Sequence, residues 1–166
     1  MRWKIFIPLA LALTVFALAG NHFWMNYTDR AYATALTGES IQQVTMEHDV
    51  MSITVAEGYR VSDVISVLEA NADSAVWSRV RDIRMEPKSE HLLPVKITRQ
   101  VDLIAAQAQA TKEYYTASLL LEELAVEYDL TAETLLWGNW LFMELNSDSG
   151  AYYGRVQLNK GGAAID

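Results

Sequence analysis

Apolar and polar positions recur on two different periods along this chain, and the first stretch has no period at all. Residues 5–20 carry no charge, with Arg2 and Lys4 before them and Asn21-His22-Phe23-Trp24 after them. An uncharged helix is favoured in hydrocarbon, and about 20 residues at about 1.5 Å each are needed to span it. Residues 1–25 are therefore expected to form a single transmembrane helix. Trp3 at one end and Phe23, Trp24 and Tyr27 at the other would sit at the membrane interfaces. Arg2 and Lys4 would keep the N-terminus inside. A cleaved signal peptide ending near Gly20 is the alternative, since Ala17-Leu18-Ala19 precedes it.

Beyond the anchor, residues 26–40 read as a helical stalk ended by Gly38. Residues 41–55 have strand character, with rough alternation in Ser52-Ile53-Thr54-Val55. Glu57-Gly58 marks a turn, and Ser62-Asp63 opens a helix carrying Val64, Ile65, Val67 and Leu68. Residues 70–83 suggest a second short helix with Val76, Trp77, Val80 and Ile83 on one face. Residues 85–91 form a polar loop containing Pro87. Residues 92–97 are expected to be extended, because Pro94 disfavours the α region before it, and to pair with residues 53–55.

The strongest periodicity follows. Leu103, Ala106, Ala110, Tyr114, Ala117, Leu121, Leu124 and Tyr128 recur every three or four residues, which predicts one long helix over 101–128. Thr131 is a cap for a second helix bearing Leu135, Leu136, Trp137, Trp140, Leu141 and Met143. A short connection between two such helices gives an αα-hairpin. The expected fold class is thus mainly α with a minor β-sheet (α+β): an anchor at 1–25, a stalk at 26–40, one exported domain at 41–160 and a loose tail at 161–166.

Charge narrows the partners. All 21 acidic residues lie beyond residue 20, against 11 of the 13 basic ones, so that part of the chain is near −10. Nucleic acid is therefore not expected as a partner, because it demands clustered Lys and Arg. No cysteine is present, which removes disulfides, thiolate metal sites and a cysteine nucleophile. His22, His48 and His91 lack metal-ligand spacing, and no Gly-rich phosphate loop or nucleophile elbow occurs. No metal and no cofactor are expected. With the anchor, this points to the inner membrane, with the C-terminal domain in the periplasm or outside. The expected partners are the lipid bilayer and a protein partner or second copy.

Two segments bear likenesses to families. Glu144 followed by Ser149-Gly150-Ala151-Tyr152-Tyr153-Gly154 and Gln157 resembles the block after the catalytic glutamate of lysozyme-like lytic transglycosylases, with a shorter gap. That likeness implies a glutamic acid that protonates a glycosidic oxygen. Residues 53–65 look similar to the strand–turn–helix opening of LysM-type peptidoglycan-binding modules, and residues 119–139 to their second half. Trp137, Trp140, Phe142 and Met143 form an aromatic and methionine cluster suited to docking a partner. The function expected first is a non-catalytic accessory subunit of a larger envelope assembly. The alternative is a peptidoglycan-directed protein with Glu144 as its acid.

Overall fold

A computed structural model describes residues 3–47, 49–72, 76–88 and 92–158. Side chains within 3–13, and those of 15 and 16, lie outside the described residues, as do His48, His91 and the tail at 161–166. In chain order the elements are helix α1 (Trp3–Leu36), strands β1 (Ile41–Glu47) and β2 (Val50–Val55), helix α2 (Val61–Ala70) and a single 3-10 turn (Trp77–Arg79). Strand β3 (Asp82–Pro87), helices α3 (Val95–Thr111) and α4 (Tyr114–Tyr128), and strands β4 (Thr131–Trp137), β5 (Trp140–Ser147) and β6 (Gly150–Gln157) complete the chain.

Six strands in two three-stranded sheets replace the expected mainly α fold with a minor sheet. In the first sheet β1 pairs antiparallel with β2, and β2 pairs parallel with β3. A parallel pair needs a crossover, and α2 supplies it. Its buried positions Val61, Val64, Ile65 and Leu68 join Met51, Ile53, Val55, Ile83 and Met85 in one core. The second sheet is an antiparallel meander in the order β4-β5-β6.

The expected helix at 131–143 is a β-hairpin. Trp137 pairs with Trp140 across Gly138-Asn139, and Gly138 takes a φ of +56° at the first central position, as a type II′ turn requires. Its central strand is covered on both faces. Leu141, Met143 and Leu145 face α3 and α4, whereas Phe142 belongs to the core of the first sheet. Two-sided burial removes the alternation that would have revealed a strand, leaving an apolar run that reads equally as a buried helix.

The αα-hairpin is instead made by α3 and α4, because the long helix expected over 101–128 breaks at Lys112, whose φ is +62°. The break rotates the stripe. Ala117, Leu121 and Leu124 are buried as expected, but Leu103 is 69% exposed and Ile97, Val101 and Ala108 face the core. Gly154 lets α3 lie close on β6: a Cβ there would stand 3.1 Å from Val101 Cγ1. The expected helix at 70–83 is a 3-10 turn followed by β3, which takes in Pro87 of the expected loop. It is β3, not residues 92–97, that pairs with residues 53–55. Leu92 makes a single bridge to Ala151, and Pro94 stands at the N-terminus of α3.

Among the described residues no helix is long and apolar enough to cross a membrane. The expected single-pass anchor, and the inner-membrane localisation that rested on it, are overturned. The uncharged run of residues 5–20 reaches only about 24 Å of the roughly 30 Å required. Extending it to Met25 brings in Asn21 and His22, with Asn26, Asp29 and Arg30 close behind. Nor are residues 26–40 a free stalk. Tyr32 and Leu36 are buried in the first core, Tyr32 Oη donates to the Asn71 carbonyl at 3.1 Å, and Asp29 pairs with Arg79.

Candidate functional site

Strand pairing decides which side chains meet. On the face of the second sheet turned toward α2, Glu144 of β5 stands directly opposite Glu133 of β4 on one side and Tyr153 of β6 on the other. The β2–α2 loop closes over this row, and the backbone N–H of Val61, the first residue of α2, donates to Glu144 Oε2 at 2.8 Å. Asn146 Nδ2 donates to Oε1 at 3.3 Å. Helix N-termini leave their first amides unsatisfied, so a carboxylate there is favourable both as an acceptor and toward the helix dipole. One residue earlier, Asp63 accepts from the Arg60 N–H at 2.8 Å.

Glu144 is only 2% exposed. Burial pushes its carboxyl above the usual range, and the nearby Glu133 carboxylate adds to the rise; the Val61 N–H, Asn146 and Arg60 oppose it. The Arg60 guanidinium lies 3.7 Å from Glu133 Oε2. Burial likewise raises the Tyr153 hydroxyl, with the Glu144 charge as the second cause.

A cleft of about 660 Å³ opens above this row. Its walls come from both sheets: Tyr59 and Arg60 from the β2–α2 loop, Thr131 at the start of β4, Asn146 and Ser149 around the β5–β6 turn, and Tyr153. Glu144 is not among its lining residues. A second hollow of about 620 Å³ shares Pro87, Lys88 and Tyr153 with it and extends over the seam between β3 and β6. That seam is tied by Arg155 of β6, which donates to Asp82 Oδ2 of β3 at 2.7 Å.

The residues singled out by sequence are thus scattered. Glu144 lies mid-strand rather than at the helix end that the transglycosylase likeness implies. The LysM-like opening at 53–65 does run strand, turn, helix, but residues 119–139 pass from helix α4 into strand β4, not into a second helix. Phe142 and Met143 are core, at 2% and 0% exposure. Trp137 and Trp140 are half-buried at the hairpin turn. Trp137 packs on Trp77 with ring centroids 5.2 Å apart and donates to Glu69 at 2.9 Å, and Arg155 lies 5.8 Å from the Trp140 ring. Phe23, Trp24 and Tyr27 are exposed along α1, and the Trp3 side chain lies outside the described residues.

Sequence reasoning misses Arg60, Glu133 and Asn146 as site residues, and it names Tyr153 without placing it beside Glu144. The available signal was Gly138-Asn139: once those two residues are read as a turn, Glu133 and Glu144 lie equally far on either side of it and must pair. Among the described residues no group of three or more His, Asp or Glu side chains is arranged to hold a metal. No protein-family model, curated protein or solved structure matches the chain.

Proposed function

We propose that this chain is a non-catalytic interaction module, an accessory subunit whose working surface is the cleft between the two sheets. The observation that carries this reading is the state of Glu144. Among the described residues, the strongly buried carboxylate near the cleft has its two oxygens engaged by Val61 and Asn146, lies beneath the wall and does not line the opening. A general acid must reach the atom it protonates, and this one serves instead to hold α2 against β5. The cleft walls are loops and turns carried on rigid sheets, where binding surfaces concentrate.

A photoreactive residue at Glu57 or Ser149, on the cleft, should crosslink in the native host to the same discrete protein. One at Glu123, on the outer face of α4, should not. Equal capture from both faces, or none from the cleft, would contradict the reading. The peptidoglycan-directed alternative draws on the raised Glu144 carboxyl, a property that catalytic acids share. Turnover of purified cell-wall sacculi that disappears in Glu144→Gln would establish that alternative instead; no turnover by either protein is expected.

A further inference from the structure

Glu144 sits where a single proton changes the contact between the two halves of the molecule. The donors that hold it, a backbone amide and a carboxamide, are both neutral, and the side chain directly across the ladder is another carboxylate. Among the described residues, the charged or titratable groups around it come from three elements. Glu133 comes from β4, Tyr153 from β6, and Arg60 with Asp63 from the start of α2. The cation among them, Arg60, is drawn toward Glu133 and is itself largely exposed. An ionised Glu144 keeps the helix N-terminus and the amide donors that favour a carboxylate, but its burial and the Glu133 charge opposite outweigh them. A neutral Glu144 still accepts the Val61 N–H through its carbonyl oxygen, and its hydroxyl oxygen remains a weaker acceptor for Asn146.

We infer that Glu144 is a proton-operated latch: its neutral carboxyl seats the N-terminus of α2 firmly on β5, its ionised form loosens that seat, and the cleft walls at Arg60 and Asn146 tighten on acidification. This rests on the cleft being the working surface, whose geometry the latch would set. The sign follows from the direction of the shift. A carboxyl raised in the folded protein contributes stability that is fully present below the ordinary glutamate value of 4.5 and is lost as pH rises through the folded value.

The test needs no ligand. The Glu144 side-chain carboxyl carbon and the exchange protection of the Val61 amide are followed by NMR from about pH 8 to about pH 5, in the wild type and in Glu144→Gln, whose amide keeps the Val61 acceptor and carries no charge at any pH. In the wild type Glu144 should titrate above the ordinary glutamate value, and Val61 protection should rise as the pH falls through that titration. The rise should be about tenfold for each unit by which the carboxyl is raised. In Glu144→Gln protection should be high throughout and independent of pH. The wild-type carboxyl titration alone decides the matter if the variant does not fold. Titration of Glu144 at the ordinary value, pH-independent protection in the wild type, or an unchanged pH response in Glu144→Gln would each overturn the latch. A missing crosslink from the cleft with an intact titration would instead count against the cleft as the working surface and leave the latch standing.

Discussion

The two sheets are built from the same number of strands and bury them differently. In the first sheet β2 alternates strictly, with Met51, Ile53 and Val55 buried and Val50, Ser52 and Thr54 partly exposed. One face meets α1 and α2, and the other carries the polar side chains. In the second sheet five consecutive residues of β5, from Leu141 to Leu145, are all buried. Odd positions there pack on α3 and α4, while Phe142 and Glu144 turn toward the first sheet. The first arrangement makes a wall; the second makes a partition shared by two cores. A partition must bury polar as well as apolar residues wherever its sequence needs them, and the polar one here is Glu144, the group on which the proposed latch depends.

The largest expected effect of that difference is at Phe142, which joins the core of the first sheet from a strand of the second. Phe142→Ala should cost about 3–5 kcal/mol, at the upper end for such truncations, because neither core can collapse into the space alone. Ile53→Ala in the one-sided sheet should cost about 2–5 kcal/mol, and Thr45→Ala on its exposed face less than about 0.5. Urea unfolding midpoints compare all three. Equal costs for Phe142→Ala and Thr45→Ala would remove the partition.

What was legible in the sequence follows the same division. Residues 41–55 were readable as strand, and Ser62-Asp63 with its apolar followers as helix, because one-sided burial writes a period into the chain. The β5 segment reads as helix because burial on both faces erases its period. The helical stripe of α4 held, and that of α3 did not, since a left-handed residue at Lys112 shifts the phase without a glycine or proline to announce it. The uncharged N-terminal run misled for a different reason: hydropathy alone takes no account of the polar residues that extend it or of the burial of Tyr32 and Leu36 against the domain. Of the site, the sequence points to Glu144 but at a helix end, whereas it lies mid-strand. Its true neighbours depend on register, which a single turn determines.

That turn offers the smaller effect. Gly138 has open space where a Cβ would stand, so Gly138→Ala introduces only backbone strain. About 1–2 kcal/mol of destabilisation is expected from the left-handed conformation, read from the shift in thermal midpoint. An unchanged midpoint would mean that the segment does not turn there, and with it the pairing of Glu133 and Glu144 would fall.

The most direct test of the partition is native-state hydrogen exchange across both sheets. The amides of β5 are paired on both edges and covered on both faces, so they should exchange only when the whole molecule unfolds. Residues 141–145 are predicted to be the slowest stretch of the chain, with opening free energies equal to the global value and common to amides in β2. If β5 exchanges as fast as the outer strand β1, or if β2 opens in a separate step while β5 stays closed, the two sheets do not share a core through β5 and the account is wrong.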